Sequence, residues 1–317
     1  MEKQIVRFIL TIFGNKHIGM LITNIYSILQ SNPKSHISIF WQDIDEPLIE
    51  AVMKTFSTAT YHKTYFDFDS DPIKRISSKT YLWNFAAQNY PHRYLCFLDV
   101  DTLVIKNIQH FFDQDFDIAY TYKRDQFPLN TGVMLCKGEK YPIFFKLWEK
   151  MTIKIINNSE LFGKANSPQH PYGGSDQMSL FEMLQYKSGQ RNYNLMIDDQ
   201  NIIFKGIPCE VLNETSSREI TETTHIIHYK GGWQPILLEG RNFTKRRSKR
   251  LSWEMYIKYL KTFKKSLEYL QKSTNTRCRL KNLNIIIPFY INTFTLKENK
   301  YLYFIYSYYD RVRNRFK

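Results

Sequence analysis

Glycine is scarce in this chain, 12 of 317 residues, while Lys, Ile, Asn, Tyr and Phe are abundant. That skew reads as a nucleotide-usage bias and carries no function by itself. Hydrophobic residues at 43% and charged residues at 23% are otherwise ordinary for a globular protein. Cysteine is sparse too. Cys96, Cys136, Cys209 and Cys278 are far apart and form no CxxC pair, so they are read as reduced thiols of a cytosolic protein. No uncharged apolar run reaches about 18 residues, which predicts no membrane-spanning helix. The apolar stretch near the start is too short and too interrupted for a signal peptide and is read as a first strand. Acidic residues nearly vanish at one end. Residues 241–317 hold 20 Lys and Arg against 4 Asp and Glu, whereas residues 1–240 hold 24 against 26. The chain is therefore a near-neutral body with a strongly basic end.

The most informative segment is Tyr94-Leu95-Cys96-Phe97-Leu98-Asp99-Val100-Asp101-Thr102-Leu103-Val104. A short continuous apolar run is the pattern of a strand buried on both faces of a mostly parallel sheet. Asp99 and Asp101 then stand at its C-terminal end, where open α/β sheets bind ligands. At a turning strand end both carboxylates can reach one cation, and hard divalent ions such as Mg²⁺ or Mn²⁺ take oxygen ligands while leaving room for phosphates.

Alternating strand and helix patterns surround this segment. Strands are predicted at 4–12, 36–41, 60–66, 94–98, 116–121, 131–136 and 224–229. Helices are predicted at 18–31, 46–56, 77–88, 142–156 and 176–187, with a loop over 157–175. Such alternation argues for βαβ units and an α/β sheet. After about residue 240 comes the run Lys245-Arg246-Arg247-Ser248-Lys249-Arg250. Trp253, Tyr256, Ile257, Leu260, Phe263, Leu267 and Leu270 follow at helical spacing with lysines beside them.

In these motifs the chain resembles the GT-A glycosyltransferases, nearest to the family 8 bacterial enzymes that extend lipopolysaccharide or capsule. The resemblance rests on Asp99-Val100-Asp101 after a hydrophobic strand and on Asn130-Thr131-Gly132-Val133-Met134-Leu135. It rests further on His228 followed by Gly231 and Pro235, and on Ser175-Asp176-Gln177. Ile76-Ser77 with Thr80-Tyr81 is similar to the helix that the family places before its DxD strand. The likeness runs over about residues 4–236.

It implies a Rossmann-like, mostly parallel mixed sheet flanked by helices over 1–240, while the residues beyond, outside the likeness, are read from their own spacing as a helical C-terminal extension over 241–317. It also implies a hexosyltransferase that takes a nucleotide-diphosphate sugar, a UDP-hexose, to a lipid-linked or lipopolysaccharide or capsular acceptor with retained configuration. Asp99, Asp101 and His228 would hold Mn²⁺ or Mg²⁺. Asp176, Gln177 and Asn130 would frame the sugar. Lys230, Gly231 and Gly232 would meet the diphosphate. The chain departs from the family where Gln234 replaces a phosphate-binding lysine and Ile236 a tryptophan, so Lys230, Arg75 or Lys79 is expected to supply the missing cation.

Two other readings stay open at this level. Asp99-Val100-Asp101-Thr102 also fits a haloacid-dehalogenase phosphatase with Asp99 as nucleophile and Lys187 with Asp198-Asp199 as later motifs. The basic end could instead make the chain a non-catalytic adaptor for RNA or anionic lipid. The favoured expectation is a cytoplasmic enzyme lying on the inner face of the cell membrane through 241–317, with no nucleic-acid partner. Oligomeric state is not legible. The Asn sequons at 157, 213 and 242 matter only in a secreted protein.

Overall fold

A computed structural model describes residues 5–67, 71–77, 79–123, 128–215, 220–237 and 252–274. In chain order the elements are β1 (Arg7–Phe13), α1 (Ile18–Ser31), β2 (His36–Gln42), α2 (Glu46–Thr55), β3 (Thr60–Lys63), α3 (Pro72–Ser77), α4 (Lys79–Asn89), β4 (Tyr94–Leu98) and β5 (Thr102–Val104). Then come β6 (Ile118–Tyr122), β7 (Leu129–Lys137), α5 (Tyr141–Asn157), α6 (Ser159–Asn166), α7 (Ser175–Met183), β8 (Asn192–Ile197), β9 (Gln200–Pro208) and α8 (Cys209–Leu212). The described chain ends with β10 (Ile226–His228), α9 (Gln234–Leu237) and α10 (Trp253–Thr274). Single 3-10 turns at Asn15–His17, Gln109–Asp113 and Gly231–Trp233 fill the joints.

Eight strands form one mixed sheet in the order β3-β2-β1-β4-β7-β6-β9-β8. Strands β3, β2, β1 and β4 run parallel, β7 runs against both neighbours, and β9 is parallel to β6. The C-terminal ends of β1, β4, β6 and β9 therefore share one edge. A separate ribbon pairs β5 with β10, placing His228 opposite Thr102.

Period-two alternation explains the two-sided burial. Phe8, Leu10 and Ile12 of β1 face a core shared with Leu21, Ile25 and Ile28 of α1 and Ile49 and Val52 of α2. Ile9 faces the opposite core with Leu95 and Phe97 of β4, Trp83 of α4, Trp148 of α5 and Leu180 of α7. A sheet covered by helices on both faces gives apolar strands without polar alternation, which is why β4 is legible as an uninterrupted run.

Two regions with elements that the sequence reading lacks stand out. The expected loop over 157–175 contains α6, opened by Asn158, whose Oδ1 accepts the amide of Leu161 at 3.0 Å. A capped two-turn helix with few apolar residues leaves little periodic signal. The β8–β9 hairpin was also unanticipated. It turns on Asp198 and Asp199, both with positive φ (47° and 59°), as a two-residue hairpin loop requires.

Helix α10 packs on α1 and α2. Met255, Tyr256, Tyr259, Leu260, Phe263 and Leu267 form a core with Met20, Leu103, Tyr229, Trp233, Ile236 and Leu237. Among the described residues no helix is long and apolar enough to cross a membrane. The runs 241–251 and 275–317 lie outside the described residues.

Candidate functional site

The DxD turn leaves the sheet at the C-terminal end of β4. Two devices hold its backbone. The Asp99 amide donates to the Gly132 carbonyl of β7 at 2.9 Å, and the Tyr229 amide donates to the Asp101 carbonyl at 2.8 Å. Asn24 of α1 closes the turn from below. Its Nδ2 donates to Thr102 Oγ1 at 2.8 Å and to the Asp99 carbonyl at 3.3 Å, while Thr102 Oγ1 donates to that same carbonyl at 2.8 Å. Sequence reasoning passed over Asn24. The signal was present: a lone amide among the apolar positions of helix 18–31.

Because β10 pairs with β5, His228 arrives beside the turn. Its Nε2 lies 3.0 Å from Asp101 Oδ1 and 3.7 Å from Asp99 Oδ2. One ligand atom from each of the three residues falls within 4.8 Å of the others. Burial pushes the Asp101 carboxyl up, yet the charge and hydrogen bond of His228 outweigh it, and the group is held well below the usual carboxylate range. His17, just ahead of α1, also feels this charge: its burial lowers it and Asp101 partly restores it. Two carboxylates and an imidazole converging in this way form a donor set suited to Mn²⁺ or Mg²⁺. Gly132 makes room for the ring. A Cβ there would sit 2.4 Å from His228 Cε1, closer than any real contact.

The Asn130–Val133 segment owes its shape to a break in the β6–β7 ladder. Tyr120 pairs with Met134, but the next residue, Thr121, pairs with Asn130. Thr131, Gly132 and Val133 are thus released from β6, although Val133 still pairs with Leu98 of β4. The fork frees the Thr131 hydroxyl, which donates to the Asp176 carboxylate of α7.

Lys79, the first residue of α4, is the hub of this region. Its Nζ is 3.0 Å from Asp99 Oδ1, 3.2 Å from Asp176 Oδ2 and 3.2 Å from the Thr131 carbonyl. An ammonium has three donors, and these partners engage all three. Burial lowers the Lys79 pKa, but Asp99 and Asp176 more than reverse it, so the net shift is upward. Burial likewise raises Asp176, and Lys79 with Thr131 brings it below its ordinary value. Both groups stay ionised as a buried pair.

The remaining expected residues fall around this centre. Asn130, Ser175 and Gln177 are buried, and Asn130 Nδ2, Ser175 Oγ and Gln177 Oε1 have no hydrogen-bond partner among the described residues. Buried polar atoms without partners are costly, and ligand contact is one way to satisfy them. Lys230 follows β10 and is half-buried, its pKa lowered by burial and by Lys123 and Lys79, with Asp99 opposing. Gly231 has φ of 59°, the left-handed turn that opens the 3-10 segment containing Gly232. Arg75 instead pairs with Asp43 Oδ2 at 2.6 Å and covers the Phe13 ring.

The residues needed by the phosphatase alternative are not gathered. Asp198 and Asp199 form the turn before β9, at the sheet edge opposite Asp99.

No protein-family model and no curated protein sequence matches the chain. Solved structures do. The apo form of the glycosyltransferase GlyE of Streptococcus pneumoniae TIGR4 is 13% identical, with a TM-score of 0.54 over 85% of this chain and 63% of GlyE. The galactosyltransferase LgtC, solved with donor and acceptor sugar analogues, is 14% identical, with a TM-score of 0.52 over 87% of this chain and 99% of LgtC. The chain thus spans less than two thirds of GlyE. At such identities the likeness is one of fold, and the fold is that of the GT-A glycosyltransferases.

Proposed function

We propose that the protein is a metal-dependent hexosyltransferase. It would move a sugar from a nucleotide diphosphate, a UDP-hexose, to a lipid-linked, lipopolysaccharide or capsular saccharide with retention of configuration. The observation that carries this reading is the convergence of Asp99, Asp101 and His228 at the ligand-binding edge of a GT-A sheet. These three would hold Mn²⁺ or Mg²⁺, which when bound supplies Lewis-acid neutralisation of a diphosphate leaving group.

The chain's own groups divide the remaining work. Lys230, beside the left-handed turn at Gly231, offers a cation to the diphosphate. Asn130 Nδ2, Ser175 Oγ and Gln177 Oε1 are donors and acceptors of the kind that recognise sugar hydroxyls. Asp176 is held as a carboxylate by Lys79 and Thr131. In this reading it stands against the developing positive charge of the sugar rather than taking a proton.

For the acceptor, the exposed positions of α10 matter. Lys258, Lys261, Lys264 and Lys265 lie outward, while most of its apolar positions are buried against the body. Attachment to an anionic leaflet through this helix would therefore be electrostatic and not insertional.

The test is a panel of sugar nucleotides incubated with the protein and Mn²⁺, scored for nucleotide-diphosphate release. Activity is expected with one UDP-hexose and lost with chelator, and Asp101→Ala should lose most turnover. Turnover undiminished in excess chelator would overturn the reading.

A further inference from the structure

Asn213 and Thr121 are not among the groups that converge on the DxD turn, yet they form a chain of hydrogen bonds that ends on His228. The direction of that chain is fixed at its far end. The Asn130 carbonyl can only accept, so the Thr121 hydroxyl, 2.6 Å away, donates to it. That hydroxyl has no second proton, so toward Asn213 it accepts, and Asn213 Nδ2 donates to it at 2.6 Å. The Asn213 amide is thereby oriented with Oδ1 toward His228 Nδ1, 2.8 Å away. An amide oxygen can only accept, so Nδ1 must carry the proton. Nε2 is left as the nitrogen that faces Asp101 and Asp99.

We infer that the Thr121–Asn213 pair is a positioning relay that sets the His228 tautomer and presents the Nε2 lone pair to a divalent cation. The inference rests on the metal-site reading above. Asn213 is fully buried and Thr121 nearly so, which shields the relay from competition by water. The relay starts at the fork in the β6–β7 ladder. Thr121 is the residue at which the pairing jumps, and its partner Asn130 supplies the terminal carbonyl. A ligating histidine is ordinarily held through its other ring nitrogen, and loss of that hold typically costs about 10–100-fold in metal affinity.

The full-length chain is titrated with Mn²⁺, with the free-ion EPR signal as readout, in wild type and three variants. Asn213→Leu removes the acceptor and is expected to weaken Mn²⁺ binding about 10–100-fold. Asn213→Asp keeps an acceptor for Nδ1–H and should stay within a few-fold of wild type. Thr121→Val removes the group that orients the amide and should fall between them. Equal loss in Asn213→Leu and Asn213→Asp would mean that the residue only supports packing, and would overturn the relay. So would wild-type affinity in Asn213→Leu.

The second readout is histidine-selective ¹⁵N NMR of the Mg²⁺-saturated protein. A slowly exchanging proton is expected on His228 Nδ1 in wild type and Asn213→Asp, and should be lost in Asn213→Leu if that variant folds. A proton on Nε2 in wild type would refute the relay. If wild type binds neither ion, the metal-site reading fails. The metal-free protein then decides the relay alone, by whether His228 Nδ1 carries a slowly exchanging proton.

Discussion

Gly132 illustrates how narrowly single residues govern this centre. Its missing side chain is the space that the His228 ring occupies. Gly132→Ala should therefore displace the imidazole and weaken Mn²⁺ binding more than it lowers the melting temperature, a difference that calorimetry and a metal titration would separate. Lys79 is the opposite case, a group whose loss the whole fold should feel. Lys79→Met leaves Asp99 and Asp176 close together with no internal cation. Breaking a buried pair costs about 3–5 kcal/mol, and denaturant unfolding should show it. Adding Asp176→Asn to Lys79→Met should recover part of that stability. The thiols give a quieter check. Cys96 and Cys136 are pushed well up by burial, and Cys209 is pushed up to about 12. In a Cys278→Ser background, a disulfide reagent at pH 8 should find almost no thiolate until the protein unfolds.

At the scale of elements, what could be read from the chain depended on how local the cause was. Helix 18–31 and strand 94–98 have the bounds their periodicity implies, because each is buried along its length. The gathering of Asp99, Asp101 and His228 matches what the motifs implied, although 127 residues separate Asp101 from His228. Lys79 was singled out only as a phosphate cation, whereas the fold surrounds it with two carboxylates and a carbonyl. Nothing in the order of residues announces that Lys79 and Asp176, far apart in sequence, meet. Asn213 was noticed only as a sequon, and its burial behind His228 depends on the β6–β7 fork.

The β8–β9 hairpin was missed because its strands are half-exposed at the sheet edge, with Asn192, Asn194 and Met196 outward, which blurs the pattern. Its turn offers a prediction. Asp199 holds a left-handed conformation without being glycine. Asp198→Asn with Asp199→Gly, the preferred pair for such a turn, should raise stability by about 0.5–1 kcal/mol. Mn²⁺ affinity should not change, since the turn is at the edge opposite the DxD.

At the scale of the whole molecule, the basic end divides into a part that is described and parts that are not. Within α10 most of the apolar positions are committed to the body, and outward lysines remain. If the protein docks on anionic lipid through this helix, replacing Lys258, Lys261 and Lys265 by Gln should reduce co-sedimentation with anionic vesicles at low salt without altering melting. Unchanged sedimentation would move the attachment to residues outside α10. Truncation ahead of Ser252 is the wrong way to ask. It would strip the cover from Tyr229, Trp233 and Ile236, at about 1.5–3 kcal/mol for each large apolar side chain exposed, against a total stability of about 5–15 kcal/mol. Such a truncation should yield an insoluble or unfolded product, as circular dichroism would show.

The seating of α10 also bears on how the protein is made. Tyr229, next to His228, donates its phenolic proton to the Met255 carbonyl at 2.9 Å, and the Ile220 amide reaches Glu254 at 2.9 Å. The carboxylates of the DxD turn leave the ribosome early. One face of the strand that brings His228 to them, through Ile227 and Tyr229, is covered by a helix translated later. A nascent chain halted before that helix emerges would hold the two carboxylates of the turn and lack the cover beside the third group, His228. If the centre holds a cation as proposed, its completion is a late event in synthesis, gated by the emergence of a helix that contributes none of the three converging groups.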